Sequence, residues 1–310
     1  MKYLFGPVNS RRLGLSLGID LVPFKTCSLN CIYCECGETT NLTSKIEEYV
    51  PVDQVILEIE NYLSSNPKLD MITFSGSGEP TLHNGIGHII DYIKGNFPEY
   101  KITVLTNGTL LFIESVRKSI LNADIVIPSL DAVSEEMFNK INRPVFGTNP
   151  ERLVQGLIDF SQQFEGKIIL EIFIISELND DELELKKIRD ACLKISPDLI
   201  QLNHLDRPGA EDWVESPSEQ ELKYIKSYLK PLNVEIVGEP SSDISAIIEI
   251  KNSEDAVLST LMRRPSTIQD LSVTLDIRVS ELTKIIGNLL ASDKIEKERS
   301  GRGSFYKLKR

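Results

Sequence analysis

Short apolar runs alternate with amphipathic helical patterns from about residue 17 to residue 240 of the sequence. The runs are rich in β-branched residues and predict buried strands, and apolar positions that repeat at helical spacing predict helices. The predicted strands are Ser16–Val22, Met71–Ser75, Lys101–Thr106, Asp124–Ser129, Lys167–Ser176, Leu199–His204 and Val234–Val237. The predicted helices are Val52–Leu63, Gly87–Lys94, Leu111–Leu121, Ser134–Ile141, Pro150–Phe164, Asp181–Ile195 and Ser218–Leu229. Because strands that alternate with helices pair in parallel, the pattern predicts an α/β fold, with a full or partial (β/α) barrel favoured over an open doubly wound sheet.

A different pattern begins after residues 238–245. Their sequence, GEPSSDIS, shows no strand or helix pattern and predicts a linker, whose bounds we set at residues 241–252. The helical patterns that follow are Asp255–Met262, a second one opened by Ser266 and Gln269 as a capping box, and the apolar stripe Leu282, Ile285, Ile286, Leu289 and Leu290. Basic segments on both sides of Gly301-Arg302-Gly303 predict a β-hairpin. Three helices and a hairpin are typical of a winged helix-turn-helix. We therefore predict a barrel with an N-terminal extension over residues 1–240, then the linker, then a winged helix-turn-helix domain over residues 253–310.

Polar segments that contain glycine or charged residues follow the predicted strands. They read SGSGEP at residues 75–80, TNGT at 106–109, SLDA at 129–132, SELND at 176–180 and NHLDRPG at 203–209. Parallel α/β folds place their active sites at the carboxyl ends of the strands, so five such segments in succession favour a site there. His204, Asp206 and Arg207 follow the sixth predicted strand, and we predict that they contact the substrate.

The charge of the chain is divided unevenly. The 310 residues carry a formal net charge of −12, with 34 basic and 46 acidic side chains. Residues 1–250 hold 22 Lys and Arg against 38 Asp and Glu, whereas residues 251–310 hold 12 against 8. This balance argues against a protein whose whole surface binds nucleic acid or anionic lipid, but it allows a local basic patch. No stretch approaches the length of about 18 apolar residues that a membrane span needs, so we expect a soluble, cytoplasmic protein.

Four of the five cysteines lie within ten residues, at positions 27, 31, 34 and 36. Cysteines this close rarely satisfy the geometry of a disulfide, which favours metal binding in a reducing compartment. The spacing of Cys27, Cys31 and Cys34 allows three thiolates of one loop to hold three irons of a [4Fe–4S] cluster and leaves the fourth iron open. Structural zinc is the alternative, but zinc takes four ligands, usually in two separated pairs, and only Cys36 is near.

The CxxxCxxC motif, with Tyr33 before its third cysteine, and the segment Gly76-Ser77-Gly78-Glu79-Pro80 together resemble the radical S-adenosylmethionine (SAM) superfamily. The resemblance implies a full or partial (β/α) barrel and a [4Fe–4S] cluster held by the three cysteines. It implies that SAM binds the open iron and that one electron cleaves SAM to methionine and a 5′-deoxyadenosyl radical, which abstracts hydrogen from the substrate. An electron donor such as flavodoxin or ferredoxin is implied as a partner.

The resemblance also implies which residues bind SAM. The family's GGEP element corresponds to Gly76, Ser77, Gly78 and Glu79, with Ser77 as the departure, and Glu79 receives the SAM ammonium. A carboxylate that faces an ammonium fixes its orientation through charged hydrogen bonds. The remaining implied SAM contacts are Tyr33, Thr106, Asn107, Ser129 and Asp131.

A narrower resemblance involves Ser10-Arg-Arg-Leu-Gly14, residues 18–23 and the NxxDRP-like segment Asn203–Pro208. These resemble a little-characterised radical SAM group that is classed near the tRNA wyosine-base enzymes. The sequence departs from the wyosine enzymes, because Glu35 follows Cys34 where they have tryptophan, and no cysteine precedes Cys27.

The sequence leaves the substrate open between RNA, a protein or peptide, and a small metabolite. The winged helix is predicted to bind RNA, DNA or a protein. A different class of function is an Fe–S sensor that binds DNA through the winged helix without catalysis. A sensor requires a cluster but no SAM pocket, so the GSGEP segment favours the enzyme. Of the remaining cysteines, we interpret Cys36 as incidental and Cys192 as a small buried hydrophobic residue.

Overall fold

The structure is a computed structural model that describes residues 1–10, 12–238, 253–300 and 303–309. The predicted linker at residues 241–252 lies outside the described residues. The strands are β1 Leu4–Ser10, β2 Gly14–Ile19, β3 Thr26–Cys27, β4 Asn41–Leu42, β5 Met71–Phe74, β6 Ile102–Thr106, β7 Ile125–Pro128, β8 Lys167–Ile174, β9 Leu199–His204, β10 Val234–Ile236, β11 Ile295–Ser300 and β12 Gly303–Leu308. The helices are α1 Val52–Leu63, α2 Ile86–Asn96, α3 Glu114–Ser119, α4 Glu135–Ile141, α5 Pro150–Ser161, α6 Glu182–Ile195, α7 Glu219–Tyr228, α8 Ser253–Arg263, α9 Ile268–Leu275 and α10 Val279–Ala291, with a 3₁₀ turn at Pro80–Leu82.

The main sheet has the order β1-β2-β5-β6-β7-β8-β9-β10 within the described residues. All neighbours from β2 to β10 in this order pair in parallel, and β1 alone pairs antiparallel, with β2. The alternation of strands and helices predicted this parallel sheet, and the prediction is confirmed. Since β1 and β10 are the two edges of the described sheet, the partial form of the barrel is the correct one.

The two faces of the sheet bury different cores. On β8, Leu170 and Ile172 pack into the large core that the helices complete. Ile169, on the opposite face, packs with Leu13, Met71 and Ile127 in a smaller cluster. Because successive side chains of a strand point to opposite faces, the helices cover one face and the strands surround the other. The face that the helices leave uncovered is the inner face, and a site at the carboxyl ends of the strands would open onto it.

Strand β1 was not predicted, because LFGPVNS combines glycine, proline and polar residues and shows no alternation. Its position is fixed by packing: a Cβ atom on Gly18 would lie 2.0 Å from the Phe5 ring, so the ring requires glycine there. The following turn brings Arg12 to Glu171 on β8, where the two form an ion pair. The N-terminal extension is therefore part of the sheet.

The C-terminal elements contain a separate hydrophobic cluster. Val257, Leu261, Leu271, Leu282 and Ile286 are among its members, and they bring α8, α9 and α10 together. The β11–β12 hairpin follows in antiparallel register and adds Ile295 and Tyr306. The predicted order of three helices and a hairpin is thus what the structure shows.

The start of α9 differs from the prediction by one residue. Thr267, not Ser266, is the N-cap: its hydroxyl accepts the N–H of Asp270 at 3.0 Å, and the Asp270 carboxylate accepts the Thr267 N–H at 3.1 Å. The backbone N–H and C=O of Ser266 are instead bonded to Tyr306 of the hairpin. Gln269 therefore has no part in the capping box, because tertiary pairing holds Ser266 outside the helix.

Candidate functional site

The cysteine loop is anchored by its apolar residues. Leu29 and Ile32 stand between the cysteines and are buried in the core. The backbone N–H of Ile32 donates to the carbonyl of Ile141, and the Cys34 N–H donates to the Cys31 carbonyl, at 3.0 and 3.2 Å. These contacts fold residues 27–34 into one compact loop at the carboxyl end of the sheet.

Each of the three predicted ligand sulfurs accepts a hydrogen bond from a side-chain nitrogen of a different residue. The donor–acceptor pairs are Asn107 Nδ2 to Cys27 Sγ at 3.4 Å, Asn142 Nδ2 to Cys31 Sγ at 3.4 Å and Lys25 Nζ to Cys34 Sγ at 3.0 Å. N–H donors around thiolate sulfur stabilise its negative charge and tune an attached cluster. The arrangement therefore fits a [4Fe–4S] cluster.

The thiols also act on one another electrostatically. Burial, followed by the Glu79 charge, raises the pKa of Cys27 to about 11, and burial together with Asp131 raises that of Cys31. The charge of Cys34 adds to both shifts. Among the described residues, no three His, Cys, Asp or Glu side chains are close enough together to bind a single metal ion. A [4Fe–4S] cluster bonds each cysteine to a different iron, so it does not require that grouping.

Glu79 joins the GSGEP segment to the end of β6. Its Oε1 accepts hydrogen bonds from the Thr81 N–H and hydroxyl at 3.0 and 2.6 Å and from the Thr106 hydroxyl at 2.6 Å. Its Oε2 accepts the Asn107 N–H at 2.7 Å. The carboxylate is 2% exposed, and burial raises its pKa despite these donors. Because Oε2 accepts one hydrogen bond among the described residues, it keeps an acceptor position for a further donor.

Tyr33 and Asp131 meet across the loop. The Tyr33 hydroxyl donates to Asp131 Oδ2 at 2.5 Å, and the Tyr33 ring stacks on Phe173 of β8 with 3.9 Å between ring centroids. Asp131 also accepts hydrogen bonds from Asn142 Nδ2 at 2.8 Å and from the Phe173 N–H at 2.9 Å. The donor that serves Cys31 thus also holds Asp131, and the cysteine loop is tied to the end of β7. Ser129, at that same strand end, bridges to Glu171 on β8.

Burial raises the pKa of Asp131 to about 6, and the hydrogen bonds only partly oppose this effect. The protonated folded form is therefore favoured, so its contribution to stability is complete below the unfolded pKa near 3.9 and is lost as pH rises through about 6. We expect the free energy of unfolding of the wild type, relative to Asp131→Asn, to fall by about 2 kcal/mol between pH 4 and pH 7. Urea unfolding midpoints of both proteins across this range test it, and a constant difference would contradict it.

Arg207 lies between the cysteine loop and the C-terminal helices. Its guanidinium is 5% exposed and lies 3.4 Å from Glu35 Oε2 and 3.7 Å from Asp270 Oδ2. Glu35 directly follows Cys34, and Asp270 belongs to α9. The structure therefore places this predicted substrate residue at the junction of the two parts of the chain.

The other two predicted substrate residues lie nearby at the end of β9. His204 Nδ1 is 2.9 Å from the Ser216 hydroxyl, and Asp206 is half-buried in the following loop. The structure thus brings His204, Asp206 and Arg207 to the cluster side of the sheet, and their contact with a substrate stays a prediction.

The end of α8 lies against the loop that leads to the cysteines. The Arg263 guanidinium stands 3.9 Å from the centroid of the Phe5 ring and 3.8 Å from Asp20 Oδ2. The Cys36 thiol donates to the Arg263 carbonyl at 2.9 Å. Asp20 in turn accepts hydrogen bonds from the Ser77 N–H and hydroxyl at 3.1 and 2.7 Å. A C-terminal helix is thus linked through Asp20 to the GSGEP segment.

Sequence reasoning missed a polar row on the inner face of the sheet. Glu171, Gln201 and Glu235 are register partners on β8, β9 and β10. Gln201 Nε2 donates to Glu235 at 2.5 Å, Asn203 Nδ2 donates to Glu171 at 3.4 Å, and Arg12 donates to Gln201 at 3.3 Å as well as to Glu171. Single polar residues inside otherwise apolar strands, as in KIILEIFI and LIQLNH, were the available signal.

Comparison with known proteins identifies the class of this site. Residues 21–186, more than half of the chain, match the Radical SAM superfamily. The chain belongs to this superfamily and is an enzyme whose relatives use a [4Fe–4S] cluster and SAM. It is 31% identical over 307 residues to a UPF0026 protein of Helicobacter pylori strain J99, a match that covers 98% of this chain and 96% of that protein.

A second relative is longer. A protein of Brachyspira hyodysenteriae named GTPase Obg is 36% identical over 298 residues, which cover 96% of this chain and 44% of that protein. The chain thus spans less than half the length of this relative.

Solved structures support the fold. Streptococcus suis SuiB bound to S-adenosylmethionine superposes with a TM-score of 0.53 at 15% identity, over 71% of this chain and 50% of SuiB. TYW1 with a lysine-pyruvate adduct superposes with a TM-score of 0.52 at 18% identity, over 74% of this chain and 76% of TYW1. At such identity the likeness shows the fold alone. Within the described residues, no helix is long and apolar enough to cross a membrane.

Proposed function

We propose that this chain binds a [4Fe–4S] cluster through Cys27, Cys31 and Cys34 and uses it to cleave SAM. The observation that carries the proposal is the set of three half-buried sulfurs on one loop, each with its own N–H donor. When bound, the cluster and SAM supply a 5′-deoxyadenosyl radical that abstracts hydrogen from the substrate. An electron donor such as flavodoxin or ferredoxin provides the electron.

The SAM-binding residues in this proposal surround the loop. Glu79 Oε2 offers the acceptor position for the SAM ammonium, since Oε1 is occupied by Thr81 and Thr106. Gly76, Ser77 and Gly78 form the segment that Asp20 steadies, while Asn107, Ser129 and Asp131 stand at the ends of β6 and β7. Tyr33 orients Asp131 through its hydroxyl.

We further propose that residues 253–310 form a winged helix-turn-helix domain that covers the cluster side of the sheet. A cleft of about 250 Å³ lies between Cys36, Pro208 and Lys307, and so joins the cysteine loop to the hairpin. Several hairpin cations are neutralised: Lys307 pairs with Glu298 and Lys309 with Asp293, at 2.7 and 2.6 Å. This pairing weakens the case for a nucleic-acid backbone as ligand and favours a protein, a peptide or a small metabolite as substrate.

Anaerobic reconstitution of the full chain tests the proposed function. We expect about four irons per chain and, after reduction with dithionite, conversion of SAM to methionine and 5′-deoxyadenosine. Iron and sulfide assays and chromatography of the nucleoside products measure these results. Stoichiometric zinc in place of iron, or an iron-loaded protein that leaves SAM intact, would contradict the proposal. A DNA-binding sensor without catalysis finds no support in the proteins to which this chain is similar.

A further inference from the structure

Lys25 is a buried lysine that faces sulfur. Lys25 is 3% exposed, and its Nζ lies 3.0 Å from Cys34 Sγ and 3.4 Å from the Thr39 hydroxyl. Among the ion pairs of the described residues, none joins Lys25 to a carboxylate.

A buried ammonium needs a compensating negative charge. Removing a lysine head group from water is unfavourable by several kcal/mol unless an anion and hydrogen bonds replace the water. Cys34 Sγ, 3.0 Å from Lys25 Nζ, is the group placed to provide that negative charge, and a thiolate that holds a cluster would provide it.

We propose that Lys25 is the positive charge that raises the reduction potential of the [4Fe–4S] cluster in this chain. The proposal rests on the proposed function, because it requires the cluster at Cys27, Cys31 and Cys34. Reduction adds one electron, taken from an external reductant, and no bond or proton at Lys25 changes. A fixed cation beside a ligand sulfur favours the more negative, reduced state of the cluster.

The position of Lys25 makes the effect strong. Asn107 and Asn142 donate neutral hydrogen bonds to Cys27 and Cys31 at 3.4 Å, whereas Lys25 brings a full charge to 3.0 Å from Cys34. Water and salt screen exposed charges, but they have little access to Lys25, which is only 3% exposed. The influence of Lys25 on the cluster is therefore expected to be nearly independent of ionic strength.

The test is a redox titration of the reconstituted full chain, followed by the EPR signal of the reduced cluster. Dithionite is the reductant, and iron content is measured for every variant. Lys25→Met removes the charge with little change of volume, and Lys25→Arg retains a charge. Lys45→Met removes the same charge from an exposed side chain, 70% accessible, and is the matched control for net charge. Thr39→Val removes the neutral partner of Lys25 and is the control for local packing.

We expect Lys25→Met to disfavour reduction at least tenfold, which corresponds to a midpoint lower by about 59 mV for one electron. The difference from wild type should be the same at low and at high salt. Lys25→Arg and Thr39→Val should stay within about threefold of the wild type and Lys45→Met within about twofold, because each keeps the buried charge. Loss of the cluster in Lys25→Met with its retention in Lys25→Arg would also support the role of the charge.

Two results would overturn the inference. One is a Lys25→Met cluster whose reduction equilibrium lies within twofold of wild type. The other is loss of the cluster in both Lys25 variants, which would mean that the site needs the shape of lysine and not its charge. Failure of the proposed function is distinct from both, because it would appear in the wild-type chain, as a protein that binds no iron or as an iron-loaded protein that leaves SAM intact.

Discussion

Replacement of Cys31 by alanine is expected to abolish the [4Fe–4S] cluster and all cleavage of SAM. Cys31 stands between the other two proposed ligands, and without it two cysteines of the motif remain, too few to hold a site-differentiated cluster. The loop should keep its fold, because Leu29 and Ile32 anchor it through the core independently of the thiol. Iron analysis, EPR after reduction and circular dichroism of the reconstituted variant provide the measurement.

The matched control is Cys36→Ala. Cys36 lies two residues beyond Cys34 and donates its thiol proton to the Arg263 carbonyl, so a ligand role is not assigned to it. This variant should retain about four irons per chain. If Cys36→Ala lost the cluster while Cys31→Ala kept it, the ligand assignment would be wrong.

Glu79→Gln is expected to weaken SAM binding by about a hundredfold while the cluster remains. The amide removes the negative charge that faces the SAM ammonium, a charged hydrogen bond worth about 1.5–3 kcal/mol. With its oxygen facing Thr81 and Thr106, the amide also turns its NH₂ group toward the Asn107 N–H, which places donor against donor. Equilibrium binding of SAM to the reconstituted protein gives the affinity, and the iron assay shows that the cysteine loop is intact.

Glu60→Gln is the control for this change. Glu60 is exposed on α1 and loses the same charge away from the loop, so its SAM affinity should equal that of wild type. An affinity of Glu79→Gln within twofold of wild type would refute the role of Glu79 and would assign its carboxylate to structure alone.

The sequence predicted those features that depend on local pattern. The period-two and helical repeats located most elements to within a few residues, as the identical bounds of Val52–Leu63 and Leu199–His204 show. Cys192 is fully buried in the core, as its place in an amphipathic helix indicated. The cysteine motif was recognisable because its three cysteines, the proposed ligands, lie within one eight-residue segment.

The features that sequence reasoning missed depend on contacts between distant segments. Strand β1 exists because Phe5 packs on Gly18 and Arg12 reaches Glu171, two pairings that no local pattern encodes. Arg207 lies beside Glu35 because the loop after β9 packs on the cysteine loop, where the Glu211 N–H donates to the Ile32 carbonyl at 3.0 Å. The polar row of Glu171 and its neighbours could have been predicted from the sequence, because a carboxylate inside a buried strand requires a polar partner.

The link from Arg263 through Asp20 to Ser77 has a thermodynamic consequence. Ser77 belongs to the proposed SAM segment, while Arg263 belongs to a helix of the C-terminal part. If a partner that moves Arg263 away from Asp20 changes the affinity for SAM, SAM changes the affinity for that partner by the same factor. Cofactor loading and partner recognition would then form one coupled equilibrium, in which the occupancy of each site reports on the other.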